Sequence, residues 1–140
     1  MATREQVVQC ARSWIGTRWQ HQAHLKGVAC DCAGLVIEVG REVFGILADV
    51  PAYGHTPHAN TMRRICDRYL VRVSIASMAP GDVLLMSWAD EPHHMAIVSI
   101  AENELGIIHS YAQARGVVEH RLDDQWRARI RAVYAFPELA

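Results

Sequence analysis

Cys32 combines the residue type and the position of a catalytic nucleophile. An irregular, loop-like segment gives way to a predicted helix at Asp31 and Cys32. The first turn of a helix offers unpaired N–H groups and about half a unit of positive charge, which favour a thiolate. We therefore expect a lowered pKa at Cys32, with the same N–H groups available to hold the oxyanion of a tetrahedral intermediate. The alternative is that Cys32 is a small buried apolar side chain.

Two of the eight histidines are placed to act on Cys32, one as its base and the other as the residue that orients this base. His94 precedes the apolar run 95–98, and His109 ends the run 106–108. If these two strands pair through a turn near residue 103, both imidazoles lie in one region of a sheet. His94 would then take the thiol proton and His109 would orient His94, which makes a Cys/His/His triad.

A zinc site is the rival use of these residues, because thiolates and imidazoles both bind zinc. The possible ligands are Cys30, Cys32, His93, His94 and His109. The spacing of these residues matches neither the common C-x2-4-C nor the H-E-x-x-H pattern. We therefore expect no metal and no cofactor.

Two helices follow from local signals before and after these residues. A capping box, Thr3-x-x-Gln6, and apolar residues at helical spacing predict an amphipathic helix over 3–15 that ends at Gly16. The second predicted helix begins at Asp31, as N-cap, or at Cys32, and runs to about Phe44 before Gly45. Gly34 within it allows a backbone or a substrate to approach closely.

The rest of the chain completes an α+β pattern. Residues 17–30 and 46–58 lack periodicity and predict loops, and a third helix is expected over 59–70. After the turn signal at 80–82, five short strands are predicted over 83–88, 94–100, 105–111, 117–122 and 129–136. In the last of these strands, alternation predicts Ile130, Ala132, Tyr134 and Phe136 on the buried face, and Arg129, Arg131 and Val133 on the solvent face. Helices followed by strands favour an antiparallel sheet in one domain spanning 1–140.

Composition excludes several classes of function. Fourteen Lys and Arg against 15 Asp and Glu leave a formal charge of -1, too balanced for a nucleic-acid binder. Apolar runs are far shorter than the roughly 20 residues of a membrane span, so no membrane insertion is expected. The first residues lack the pattern of a secretory signal, which predicts synthesis in the cytoplasm without a signal peptide. The four cysteines are therefore expected to be reduced.

Five motifs in sequence resemble the NlpC/P60 cysteine peptidases. The segment D-C-A-G-L-V at 31–36 resembles the family's D-C-S-G-L-V nucleophile motif, and P-G-D-V-L at 80–84 resembles its P-G-D-L strand entry. The segments H-M-A-I-V at 94–98 and I-H-S at 108–110 resemble the H-V-G-I-Y and I-H-A motifs, and G-T-R-W at 16–19 resembles G-T-P-Y. Residues 21–23, 26–27 and 30–32 are similar to the subgroup found with phage tails and gene transfer agents.

The resemblance implies a papain-like α+β fold, with N-terminal helices packed on a five- to six-stranded antiparallel sheet. It also implies hydrolysis of peptide bonds in cell-wall stem peptides, commonly between D-Glu and a diamino acid. Cys32 is then the nucleophile, His94 the base and His109 the orienting residue. Asp31 lies where the family contacts the free amino end of its substrate.

Two departures from the family pattern concern substrate binding. Ala33 replaces the usual serine and so removes a hydroxyl that would help bind that amino group. Trp19 stands at the usual tyrosine and offers an indole N–H instead of a phenol. Either Trp19 or the Gln22 amide would support the oxyanion, or Trp19 is a core or cleft-wall aromatic.

Several alternatives remain open at this stage. On the leading hypothesis the protein opens peptidoglycan while associated with phage tail proteins in a virion. The others are a non-hydrolytic tail-assembly module, and an amidase or acyltransferase on the same fold. Cys30 either protects Cys32 from oxidation or only packs. His21, His24, His55 and His58 on the flanking loops contact either substrate or solvent.

Overall fold

The computed structural model describes residues 1–54, 59–88 and 91–140, so the predictions for His55 and His58 lie outside the described residues. The helices are α1 Arg4–Arg12, α2 Cys32–Phe44, α3 Thr61–Tyr69 and α4 Asp124–Arg127. The strands are β1 Arg18–Trp19, β2 His24–Leu25, β3 Ala29–Cys30, β4 Val71–Val73, β5 Val83–Met86, β6 His94–Ala101, β7 Glu104–Tyr111, β8 Gly116–Arg121 and β9 Ile130–Ala135. None of the helices in the described ranges is long and apolar enough to cross a membrane.

The ends of α1 and α2 follow the local signals of the sequence. Thr3 and Gln6 form the predicted capping box at the start of α1, although the helix ends three residues earlier than predicted. The Asp31 carboxylate accepts a hydrogen bond from the Gly34 N–H and caps α2, as predicted. Gly45 ends α2 with a φ of 71°, a conformation that glycine adopts without a Cβ penalty. These signals confirm both bounds of α2, the helix that carries Cys32.

Within the described residues the sheet has nine strands, in the order β2-β3-β1-β8-β7-β6-β5-β9-β4, which corrects the prediction of five or six. The additional strands have only two or three residues each. Every pair is antiparallel except β1 with β3, which is parallel. The sheet is therefore mixed, and the long strands β6, β7 and β8 form its central meander, in which β6 and β7 make the predicted hairpin.

Both faces of the sheet carry apolar cores. The larger core lies between the sheet and helices α1 and α2, and includes Leu35, Ile97 and Tyr134. A second cluster of buried residues covers the other face: Leu84, Met86, Ala96, Val98, Ile107, Leu122 and Val133. The predicted solvent face of the last strand is therefore wrong at Val133, which is fully buried. The reason is that the second apolar cluster, which includes Leu122 and against which Trp126 packs, covers the face of β9 that carries Val133.

Gly34, in the first turn of α2, allows a close contact with the backbone of another segment. A Cβ at this position would lie 2.2 Å from the carbonyl oxygen of Ala23, which no side chain tolerates. The same carbonyl accepts a hydrogen bond from the Asp31 N–H. The close approach predicted at Gly34 is thus made by the 20–24 loop, which lies against the first turn of α2.

Candidate active site

Cys32 and His94 line one cavity of about 470 Å³. Cys32 enters from the first turn of α2, and His94 from the first residue of β6. Asp31, Trp19 and Tyr111 also contribute to its wall. This volume lies within the roughly 300–1,000 Å³ typical of ligand clefts. The structure thus brings the predicted nucleophile and base to the same space, although 61 positions separate them along the chain.

Backbone N–H groups surround the Cys32 sulfur. Those of Met95, the residue after His94, of Ala33 and of Cys32 itself act to lower the pKa of the thiol. Within the described residues no direct hydrogen bond joins the sulfur to the His94 ring. Hydrogen bonds between catalytic groups are often long before substrate binds and tighten in the complex.

The pKa of Cys32 moves in the direction opposite to that expected from its position at a helix start. Burial, and then the neighbouring Asp31 carboxylate, raise the pKa of the thiol to about 12. The backbone N–H groups lower it, but by less. The expectation of a lowered pKa is therefore wrong for this closed arrangement, because the cost of a charge in a buried site exceeds the gain from the helix terminus. At neutral pH the resting sulfur is a thiol.

His94 is hydrogen-bonded to His109 as the triad hypothesis requires. The Nε2 atom of His94 lies 2.7 Å from Nδ1 of His109, and both rings are buried. Burial, followed by the nearby imidazole of His109, holds the pKa of His94 well below its ordinary value. Burial and the adjacent His120 lower the pKa of His109 to about 3. Both imidazoles are therefore neutral at neutral pH, and His94 is able to accept a proton.

These two buried imidazoles predict a stability that falls on acidification. In the unfolded chain a histidine binds a proton below about pH 6.5, whereas His109 in the folded chain does not until about pH 3. Stability is thus highest above pH 6.5 and is lost as the pH decreases towards 3. We expect the titration of His109 alone to lower the free energy of unfolding by about 2 kcal/mol between pH 7 and pH 5. His94 should lower it further.

Urea unfolding at pH 7 and pH 5 measures this loss, and a His109→Asn variant is the control. The variant has one titrating buried group fewer, so its loss should be smaller than that of the unmodified chain. Equal losses in the two proteins would contradict a neutral, buried His109.

Asp31 is buried, and its carboxylate accepts three hydrogen bonds from residues in the described part of the chain. One carboxylate oxygen accepts from the Gly34 N–H at 2.7 Å, and the other accepts from the Gln22 N–H at 2.7 Å and the Tyr53 hydroxyl at 2.5 Å. Burial and the Asp31 charge raise the pKa of Tyr53, so its hydroxyl stays protonated and donates. The carboxylate therefore joins α2, the 20–24 loop and the segment that carries Tyr53.

The remaining predicted binding residues differ in their positions. Trp19 is half-buried and lines the cavity, whereas Ala33 is fully buried in the main core and is not part of the cavity wall. Gln22 is exposed, and its side-chain amide donates to the carbonyl oxygen of Tyr53 rather than pointing into the cavity. The structure therefore supports a cleft-wall position for Trp19 and brings neither Ala33 nor the Gln22 side chain to the cavity.

The flanking histidines and the other cysteines are also distributed unevenly. His21 lines the cavity and its Nε2 atom lies 2.8 Å from the Tyr53 carbonyl oxygen, whereas His24 is exposed outside the cavity. All four cysteines are free, and of these Cys32 is the one that lines the cavity. In the described ranges no group of three or more His, Cys, Asp or Glu side chains is arranged to hold a metal ion.

The sequence analysis did not identify three groups that contribute to the site: the Met95 N–H, Tyr53 and His120. His120, on β8, extends the row of imidazoles, with its Nε2 atom 2.9 Å from Nε2 of His109. The predicted strand 117–122 carried a signal for it, because His120 alternates in phase with apolar residues on a strand next to that of His109. For Tyr53 the sequence offered no signal, since it lies in a segment without periodicity.

Solved structures with the same fold are NlpC/P60 domains. The chain matches the crystal structure of the NlpC/p60 domain of the peptidoglycan hydrolase SagA with a TM-score of 0.68 and 19% identity, over 96% of this chain and 99% of that one. It matches an NlpC/P60 family protein from Bacillus cereus ATCC 10987 with a TM-score of 0.68 and 16% identity, over 96% of this chain but only 40% of that protein. An N-acetylmuramoyl-L-alanine amidase from Bacteroides uniformis ATCC 8492 matches with a TM-score of 0.63 and 11% identity, over 94% of this chain and 96% of that one.

At these identities the likeness concerns the fold. The chain has the NlpC/P60 fold, which confirms the α+β architecture expected from the sequence motifs. No protein-family model matches the chain, and no curated protein matches it in sequence.

Proposed function

From this fold and this cavity, we propose that the protein is a cysteine peptidase that hydrolyses peptide bonds in bacterial cell-wall stem peptides. One observation carries the proposal: Cys32 at the start of a helix shares a cavity with a neutral, buried His94 whose far nitrogen is hydrogen-bonded to His109. A thiol, a base and a group that orients the base are the components of nucleophilic acyl transfer.

The reaction begins when the Cys32 sulfur attacks the carbonyl carbon of the scissile peptide bond. His94 takes the thiol proton as the carbon–sulfur bond forms, so no free thiolate accumulates in a site that disfavours charge. The carbonyl oxygen becomes an oxyanion, which the N–H groups at the start of α2 stabilise. His94 then gives its proton to the leaving amine as the carbon–nitrogen bond breaks, which leaves a thioester on Cys32.

Water completes the cycle. It attacks the thioester carbon and passes a proton to His94, and the carbon–sulfur bond then breaks to release the carboxylic acid. The proton on His94 returns to the sulfur. The hydrogen bond between His109 and the far nitrogen of His94 keeps the His94 ring in one orientation throughout.

The bond proposed for cleavage lies between D-Glu and a diamino acid, and the amidase alternative predicts a different product. A solved structure of this fold is an N-acetylmuramoyl-L-alanine amidase, which gives that alternative a specific basis. A peptidase shortens the stem peptide and leaves its first residues attached to the muramic acid. An amidase releases the whole stem peptide from the sugar.

Mass spectrometry of purified muropeptides after incubation with the protein distinguishes these outcomes. We expect a free D-Glu carboxylate on the sugar-linked fragment and a free amino group on the diamino-acid fragment. Release of intact stem peptides would support the amidase instead. Unchanged muropeptides would favour the non-hydrolytic assembly module.

We further propose that the protein acts on the cell wall as part of a phage tail or gene-transfer-agent particle. The support is the similarity of residues 21–23, 26–27 and 30–32 to that subgroup. On this proposal the chain is made in the cytoplasm and reaches the wall with the particle, with tail proteins as its partners. Peptide mass spectrometry of purified particles tests it, and particles that lack this chain would contradict it.

A further inference from the structure

A row of three histidines leads from the cavity towards the edge of the domain. His94 Nε2 lies 2.7 Å from His109 Nδ1, and His109 Nε2 lies 2.9 Å from His120 Nε2. The register of β7 and β8 pairs His109 with Val118, so His120, two residues further along, lies on the same face of the sheet. The row ends where His120 Nδ1 lies 2.8 Å from the carbonyl oxygen of Arg121.

This last contact fixes the direction of every hydrogen bond in the row. A carbonyl oxygen only accepts, so His120 Nδ1 must carry a hydrogen. In a neutral His120 the Nε2 atom then accepts from the Nε2–H of His109. His109 Nδ1 in turn accepts from the Nε2–H of His94. The Nδ1 atom of His94 is left without a hydrogen, with a lone pair able to take a proton.

The opposite direction would remove the base. If His109 donated from Nδ1, His94 would carry its own hydrogen on Nδ1 and could not accept the Cys32 proton there. That direction needs either a His120 lone pair facing the Arg121 carbonyl oxygen or a doubly protonated His120. A neutral His120 hydrogen-bonded to Arg121 therefore selects the productive tautomer two rings away.

Aromatic packing holds the rings of the row in place. Trp126, on α4, contacts both His109 and His120 edge-on or tilted, with ring centroids 5.0 and 5.1 Å apart. Tyr111 stacks on His109 at 5.2 Å with an interplanar angle of 16°. This packing fixes the plane of the His109 ring. A ring turned over in that plane would present carbon atoms to His94 and His120, so the two nitrogen contacts define which atoms face them.

We propose that His120 is a positioning residue that fixes the tautomer of His109, and through it that of His94, so that Nδ1 of His94 is the base. The inference rests on the proposed function, in which His94 accepts the proton of Cys32. It adds a residue that does not touch substrate and acts only through the hydrogen-bonded row.

Nitrogen NMR of histidine-labelled protein tests the tautomers without any substrate. The ring nitrogen shifts separate N–H from lone-pair nitrogens. We expect hydrogens on Nε2 of His94, on Nε2 of His109 and on Nδ1 of His120. In a His120→Lys variant the ammonium group only donates, so His109 and His94 should both switch to hydrogens on Nδ1.

Kinetics on muropeptides then test the consequence. His120→Ala should lower kcat at least about 10-fold with KM unchanged, a part of the roughly 10²–10⁴-fold that a positioned base supplies. His120→Lys should lower kcat further. His120→Gln should retain kcat within about 3-fold, because the amide oxygen still accepts from His109. His24→Ala, a histidine outside the cavity, is the control, and thermal unfolding checks that each variant is folded.

The NMR and kinetic measurements together distinguish a failure of this inference from a failure of the proposed function. Opposite tautomers in an active wild-type protein, or unchanged kcat in His120→Ala and His120→Lys, would overturn this inference alone. A wild-type protein with the predicted tautomers that hydrolyses no muropeptide would overturn the proposed function, and with it the catalytic role of His120.

Discussion

Replacing Cys32 with alanine should reduce muropeptide hydrolysis by at least about 10⁴-fold. The sulfur forms the covalent bond to the substrate, and the alanine side chain has no nucleophilic atom to replace it. Donors for the oxyanion remain in the variant, but they stabilise an intermediate that no longer forms. Because the thiol is small and buried, the change should leave the fold intact.

The assay is product formation from purified muropeptides, followed by mass spectrometry, with urea unfolding to compare stability. Cys10→Ala is the matched control, because Cys10 is a free cysteine on α1 that lies outside the cavity and hydrogen-bonds to Glu42. The control should keep wild-type activity. Hydrolysis by Cys32→Ala at a rate near that of the control, with the same products, would show that another group is the nucleophile.

Replacing His94 with alanine should lower kcat/KM by roughly 10³-fold, within the range for a positioned general base. The reason is that Cys32 and His94 are both uncharged before the reaction begins. The raised pKa of Cys32 keeps the sulfur protonated, so attack requires a neighbouring base at the moment of reaction. Without His94 the thiol loses the proton acceptor that the mechanism assigns to it, so the reaction depends on the minute thiolate fraction.

Hydrolysis of the same muropeptides measures this effect, with His24→Ala as the matched control. His24 is exposed and lies outside the cavity wall, so its loss should not change the rate. A His94→Ala variant with more than about a tenth of wild-type activity would place the base elsewhere, because a general base contributes at least about 10²-fold.

The parts of the fold that the sequence predicted correctly are those specified by local chemistry. Asp31 and Gly45 define the bounds of α2, because an N-cap and a left-handed C-cap depend on a few neighbouring residues. The hairpin between β6 and β7 turns at Glu102 and Asn103, both with positive φ, where the sequence predicted a turn. Elements of this kind need no knowledge of the rest of the chain.

The parts that were missed depend on contacts between distant segments. Strands β1, β2 and β3 have two residues each, too few to show any periodicity, and they exist because they pair with one another and with β8. Strand β4 pairs with β9, and Val133 of β9 is buried because distant residues such as Leu122 and Trp126 cover that face of the sheet. No local pattern could have placed these partners.

At the candidate active site, too, the features set by local sequence were predicted and those set by tertiary contacts were missed. The triad hypothesis followed from residue type and position, and the structure brings His94 and His109 within hydrogen-bond distance. The direction of the pKa shift at Cys32 was predicted wrongly, because a sequence reveals the start of a helix but not how deeply its first turn is buried. Tyr53 and His120 depend on a loop path and on a strand register, which are products of the tertiary fold.

Alkylation by iodoacetamide at pH 7, resolved for each cysteine by peptide mass spectrometry, tests most directly whether His94 activates Cys32. The wild-type protein should be modified at Cys32 faster than at the fully buried Cys30 and Cys66, and His94→Ala should slow Cys32 at least about 10²-fold without changing the rate at Cys10. Equal rates at Cys32 in the wild-type and His94→Ala proteins would contradict the account.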